Sequence, residues 1–136
     1  MAKSLPSNLW VLCDREPVKD WSQGRVTLLG DAAHPMLPHL GQGANQSIED
    51  GMALATILAR ADRKTAPAAL LAYDRLRRER VALVQRGARE NGLRYDSSYA
   101  DLGVRDAELK AHVAFRKRLY DHDVVPEAQA AATALT

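Results

Sequence analysis

Apolar positions along this chain follow a strand-like spacing first and a helical one later. Leu9-Trp10-Val11-Leu12-Cys13 is a short apolar run followed by the turn formers Asp14 and Pro17, and it predicts a strand and then a loop. Gly24-Arg25 leads into Val26-Thr27-Leu28-Leu29, which Gly30-Asp31 ends. Such near-continuous runs mark strands buried on both faces. Residues 32–43 carry Pro35, Pro38, Gly41 and Gly43 and predict irregular backbone. After Gly43 the period is helical. Ile48, Met52, Ala55 and Ala59 predict the core face of a first helix, widened by Gly51, Leu54 and Leu58. A polar turn over 62–65 follows, and Thr65 or that turn caps a long second helix with Pro67 in its first turn. Leu70, Tyr73, Val81, Val84 and Ala88 are its expected core positions. Arg75, Arg77, Arg78 and Arg80, interleaved with Asp74, Glu79 and Glu90, predict a solvated, ion-paired face. This helix is expected to stop near Asn91-Gly92, a third to run from about Arg105 to Tyr120, and the tail after Pro126 to be disordered.

Composition narrows the class. The 136 residues make one domain's worth of chain. Lys+Arg number 19 against Asp+Glu 17, and a net charge of +2 is too weak for a nucleic-acid or polybasic membrane partner. No apolar run approaches the roughly 18 residues of a membrane span. The start, Met1-Ala-Lys-Ser-Leu-Pro6, has no apolar region of a secretory signal. The single Cys13 allows neither an internal disulfide nor a cysteine-cluster metal site, suits a reducing cytoplasm, and reads as a small core residue. No Ser or Cys stands in a nucleophile elbow, which argues against a hydrolase.

The chemistry concentrates in residues 24–45, which read as strand, acid, rigid loop, Gly-x-Gly, helix. Asp31 falls at the carboxyl end of a strand, where open α/β sheets bind ligands and a carboxylate accepts hydrogen bonds from ribose-type hydroxyls. Gly41 and Gly43 let backbone approach a flat or charged ligand. A helix starting near Ala44 aims free N–H groups and its positive dipole end at the same place. On spacing alone, a structural turn explains Asp31 and Gly41-Gln42-Gly43 about as well as a cofactor site does. His34 and His39, with Asp31, lack a metal-ligand spacing, and no metal is expected. Glu49 and Asp50, early in the helix, are expected in salt bridges rather than on a ligand, and Arg77 and Arg80 as ties between the second helix and this segment.

These residues carry a resemblance. Gly24-Arg-Val-Thr-Leu-Leu-Gly-Asp-Ala-Ala-His34 resembles the Gly-Asp motif of the class A FAD-dependent aromatic hydroxylases, the salicylate and hydroxybenzoate hydroxylase family. Pro38-His-Leu-Gly-Gln-Gly-Ala-Asn-Gln46 and Ile48-Glu-Asp50 are similar to the flavin loop and helix that follow it. Leu12-Cys-Asp-Arg-Glu-Pro17 with Trp21, then Ala69, Leu70, Tyr73, Arg77 and Arg80, and finally Leu119-Tyr-Asp-His-Asp-Val124 extend the likeness over about Leu9 to Val125. It implies an α/β, Rossmann-like FAD/NAD(P)-binding fold, of which this chain would be a mostly helical portion with about two short strands and three helices. It implies FAD as cofactor, with NAD(P)H as co-substrate, and insertion of one oxygen atom of O2 into a small aromatic compound. The implied cofactor-binding residues are Gly30, Asp31, Pro38, Leu40, Gly41, Gln42, Gly43, Ala44 and Asn45. Pro38 and His39 would lie near substrate, and no side chain of this chain is assigned a catalytic role.

Family members also carry an ADP-binding Gly-x-Gly-x-x-Gly unit and a substrate-covering sheet, and this sequence has neither. The expectation is a C-terminal portion that needs an N-terminal FAD-binding part, is inactive alone, and self-associates to cover its open strand edges and apolar faces. The expected divisions are 1–23 (remnant of the substrate-domain strand), 24–62 (second part of the FAD-binding domain), 63–125 (C-terminal helices) and 126–136 (disordered tail). The alternatives are a non-catalytic, self-associating remnant of the fold, or another FAD-dependent oxidoreductase.

Overall fold

The computed structural model describes Asn8 and residues 10–135. Two strands, β1 (Ser22–Gln23) and β2 (Val26–Thr27), pair antiparallel across a turn at Gly24, whose φ is 59°. Four helices follow two short 3-10 turns (Gly30–Ala32 and Pro38–Leu40): α1 (Gly43–Leu58), α2 (Ala66–Tyr95), α3 (Leu102–Tyr120) and α4 (Val124–Thr133). The chain is mostly helical with two short strands, as expected, but it has four helices rather than three.

Helices α1, α2 and α4 pack around one core of Ala53, Ile57, Ala69, Tyr73, Val81, Val124, Ala128 and Ala132, which Trp21 and Ala33 close from the loop side. Small alanines on α4 let it lie close along α1. This helix replaces the disordered tail. The Asp123 carboxylate accepts the Val125 amide at 2.9 Å as an N-cap, and Pro126 sits in the first turn, where a missing N–H costs nothing. The Ala-rich composition taken as a fraying tail is the packing surface itself.

Other expectations are corrected. Residues 10–13 form no strand, and Leu9 lies outside the described residues. Trp10, Val11, Leu12 and Cys13 are exposed, so Cys13 is not a core residue. No described strand lies beside this run, and an unpaired apolar run gains nothing from pleating. The second expected strand is cut to Val26–Thr27, because its partner among the described residues is the two-residue strand β1; Leu28 N still donates to Trp21 O at 2.9 Å. Helix α2 runs past Gly92 to Tyr95, and α3 starts at Leu102, where Asp101 accepts the Gly103 amide at 2.7 Å.

The largest correction concerns α1. Ile48 and Met52, expected in the core, are 65% and 49% exposed, and Ala55 and Ala59 are exposed with them. The buried face is Gln46, Asp50, Ala53 and Ile57. The two stripes share one spacing and differ only by a two-residue offset. Periodicity cannot choose between them; the polar partners of Gln46 and Asp50 on α2 and the loop do.

Ile57 is fully buried between the helices. Ile57→Ala is expected to cost about 3 kcal/mol, read as a lowered urea midpoint at unchanged slope.

Candidate functional site

The segment from Gly30 to Asn45 is built from two left-handed glycines. Gly30 has φ 60°, and a Cβ there would stand 3.0 Å from Ser47 Oγ, so both conformation and space demand glycine. Its carbonyl accepts the amides of Ala33 and His34, each at 2.9 Å, closing the first 3-10 turn. Asp31 stands exposed on that turn. The second turn exposes Pro38, half-buries His39 and Leu40, and ends where Gly41 N donates to Pro38 O at 2.9 Å. Gly41 has φ 62° with open space around its absent Cβ, so there the backbone conformation alone selects glycine.

Helix α1 begins with its donors free. Its first backbone bond is Gln46 N to Gln42 O at 2.9 Å, and the amides of Gly43, Ala44 and Asn45 find no acceptor among the described residues. Gln42 does not cap them. Its side chain is 3% exposed, its Oε1 accepts from Gln46 Nε2 at 3.4 Å, and its own Nε2 is buried without a partner. Three backbone N–H groups and a buried amide donor therefore cluster at one helix start, behind a turn with no Cβ at its tip. Ala44 and Asn45 are exposed and leave that start accessible. Such a cluster favours a ligand edge rich in acceptors or developing negative charge.

A buried ionic network fixes this start in place. The Asp50 carboxylate, on the second turn of α1, meets His34 Nε2 at 2.6 Å, the Gly30 amide at 3.0 Å and Arg77 Nε at 2.8 Å. His34, Asp50 and Arg77 are all fully buried. Arg77 continues to Glu49 at 2.7 Å and to Gln46 Oε1 at 2.9 Å. Arg80 grips both Glu49 oxygens at 2.7 and 2.9 Å and donates to Leu119 O at 3.1 Å, bringing in the end of α3. Two carboxylates thus face two guanidinium groups, and nearly every lone pair has a donor, which a buried charge set requires. Burial pushes the Asp50 carboxyl up, but hydrogen bonds from His34 and Arg77, the Arg77 charge and the Gly30 amide outweigh it and hold the group below its usual range. Glu49 behaves alike: desolvation raises it, and Arg80 and Arg77 outweigh that and hold it below its usual range. Glu49 and Asp50 therefore do make the expected salt bridges, and Arg77 and Arg80 the expected ties.

Helix α2 acts as a ruler for the loop. Its buried stripe includes four polar residues, Asp74, Arg77, Gln85 and Asn91. Asp74 accepts the Trp21 and Ser22 amides at 2.9 and 3.2 Å. Gln85 donates to Pro35 O at 3.0 Å, and Asn91 to His39 O at 2.7 Å. The expected solvated face is thus wrong at Asp74 and Arg77, which lie at helical spacing with Tyr73 and Val81 and share their burial. Gln85 and Asn91 were missed as loop-holding residues. Their signal was available: both fall on the stripe of Val84 and Ala88. The His39 ring lies against Gly92, where a Cβ would come within 2.5 Å of it, and edge-on to Tyr95 at 5.8 Å. Leu40 packs toward Gly87 of the same helix.

Asp31 thus stands on a 3-10 turn past the end of β2 rather than at a strand end, and a left-handed glycine turn leads from there into an uncapped helix start. The chain belongs to the FAD binding domain family, whose model matches residues 9–88. It is 55% identical over 83 residues to the 3-amino-4-hydroxybenzoate 2-monooxygenase PtmB3 of Streptomyces platensis, covering 61% of this chain and 21% of that protein. It is 40% identical over 119 residues to the salicylate hydroxylase of Pseudomonas putida, covering 85% of this chain and 27% of that one. A salicylate hydroxylase solved as a substrate complex superposes with a TM-score of 0.79 at 38% identity, covering 90% of this chain and 30% of the other. The chain thus spans less than a third of the length of these relatives. The resemblance read from the Gly-Asp motif and flavin loop holds: the relatives are a monooxygenase and hydroxylases of aromatic compounds, and FAD is the family's cofactor. No described helix is long and apolar enough to cross a membrane.

Removing Asp50 takes their shared acceptor from the buried Arg77 guanidinium, the His34 ring and the Gly30 amide. Asp50→Ala is expected to cost about 4 kcal/mol and to unfold well below the parent in a thermal melt. Because Asp50 and Glu49 titrate lower folded than unfolded, the stability they provide is fully present above their ordinary values of 3.8 and 4.5 and is lost as pH falls through the lowered folded values. Urea midpoints taken from pH 7 down to pH 3 should be flat at first and fall below about pH 4.5, with the fall reduced in Glu49→Gln.

Proposed function

We propose that this chain forms the flavin-facing turn and C-terminal helices of a cytoplasmic FAD-dependent monooxygenase that hydroxylates a small aromatic compound with NAD(P)H and O2. The observation that carries the reading is the set of four unpaired donors at the start of α1, the amides of Gly43, Ala44 and Asn45 and the buried Nε2 of Gln42. FAD, when bound, supplies the electron transfer and oxygen activation. The chain supplies position and field. The free amides at the head of α1 would hold the acceptor edge of the ring system and favour negative charge there. A helix start stabilises such charge by about 0.3–1 kcal/mol when exposed and up to about 2 kcal/mol when partly buried. Gly41 turns the backbone so that no side chain stands between loop and ring, and Leu40 anchors that turn on α2. Gly30 brings Asp31 round to the ribose and pyrophosphate portion. Pro38 and the backbone of His39 would lie toward the substrate, with the His39 carbonyl held by Asn91 and its ring packed on α2.

The partner of this site is an N-terminal FAD-binding part carrying the glycine fingerprint for the ADP portion. The apolar outer face of α1 at Ile48 and Met52, together with Val26 and Leu29 of the hairpin, is exposed and suited to receive it. Alone, the chain does not hold FAD tightly, does not turn over and self-associates.

Titrating FAD into the purified chain, followed by flavin fluorescence, tests the reading. Little quenching is expected from the chain alone, and tight binding once an N-terminal part of a family member is co-expressed with it. A stoichiometric yellow protein from the chain alone would overturn the need for a partner. A co-expressed pair that gains no flavin would overturn the function. In the loaded pair, Gly41→Val forces a side chain into the left-handed region at about 1–2 kcal/mol. It is expected to weaken flavin retention by about tenfold while His34→Ala, which leaves that turn's φ untouched, mainly lowers the melting temperature.

A further inference from the structure

Helix α3 leans on α2 along one side and leaves a second apolar line free. Phe115 seats at Gly87, His112 meets Arg94 at 3.3 Å, and the Leu119 carbonyl receives Arg80. About a quarter turn away, Leu102, Leu109, Val113 and Tyr120 lie within about 20° of a common line along the helix. All four are exposed, from 45% to 66%. With Asp106 and Arg116 they form a run spaced four and three alternately, the heptad spacing of a two-helix seam. Within the seam only Asp106 and Arg116 are charged, and they carry opposite signs.

The signs choose a partner and a direction. In a parallel pair of α3 helices each seam position meets its own copy, so Asp106 would face Asp106 and Arg116 would face Arg116. In an antiparallel pair centred at the level of Ala111, Leu102 lies opposite Tyr120, Leu109 opposite Val113, and Asp106 opposite Arg116. Every apolar layer is then filled and both charged layers are complementary. We propose that α3 is a self-association surface on which a second copy of this chain docks its own α3 antiparallel in this register. The surface is separate from the α1 face that would receive an N-terminal part, and the proposal does not depend on flavin binding.

The seam is short, about 28 Å for 19 residues at 1.5 Å each. Asp106 is already paired with Arg105 at 2.7 Å, and Arg116 lies over the Tyr120 ring at 5.6 Å, so both must share their partners. Lys110 and Lys117 flank one edge in both copies. These features make the pairing reversible rather than permanent.

Sedimentation of the full chain over a wide concentration range tests it. The chain is expected to shift from monomer to dimer with concentration, and Leu109→Glu to weaken that association by about tenfold or more. Asp106→Arg and Arg116→Asp should each be monomeric, since each homodimer then faces like charges twice. Mixed one to one, the two variants should form a heterodimer, because one copy is then wholly basic and the other wholly acidic along the seam. Ile48→Asp with Met52→Asp, on the α1 face, should leave the dimer in place. A chain that stays monomeric throughout would overturn the proposal. So would an unchanged dimer in Leu109→Glu, a mixture that fails to pair, or a dimer abolished from the α1 face.

Discussion

One buried carboxylate organises this molecule. Asp50 receives a backbone amide from the glycine turn, an imidazole nitrogen from the loop and a guanidinium nitrogen from α2, all within 3.0 Å. Two of these donors come from the glycine turn and one from the long helix, so this one group fixes the turn and α2 relative to α1. Its desolvation is tolerable only because Arg77 and His34 are in place, and theirs only because Asp50 is. Such mutual dependence makes the cluster cooperative: it is present whole or not at all.

The sequence made the glycine turn and the helices readable, because positive-φ positions and long apolar periods leave strong local marks. It made the strands far less readable. The run from Trp10 to Cys13 has the composition of a strand, yet composition states only what a residue would do beside a partner, and none is described there. Helix α1 has two stripes of equal spacing, one apolar and one half polar, and the half-polar one is buried. Hydropathy alone favours the wrong stripe, because the value of Gln46 and Asp50 in the interior lies in residues about thirty positions away or in the loop behind them.

The same lesson applies to the candidate site. Gly41 and Gly43 to Asn45 lie at an uncapped helix start, and Asp31 on the 3-10 turn before it. What supports them was harder to see. Asp74, Arg77, Gln85 and Asn91 look like ordinary surface residues of a charged helix, yet each falls on its buried stripe: Arg77 binds α1, and the other three bind the hairpin and loop in front of it. A polar residue at a core position of a long helix is therefore worth reading as a fastening to something irregular nearby.

The uncapped donors at the head of α1 have a consequence for affinity. In the free chain the exposed amides are hydrated, and a ligand that displaces that water gains little more than it removes. The same donors become worth much more once a neighbouring surface dries the space around them, since the effective dielectric then falls. Their contribution is in this sense conditional: it stays latent while solvent has access and emerges with enclosure, so assembly and ligand capture reinforce one another through desolvation.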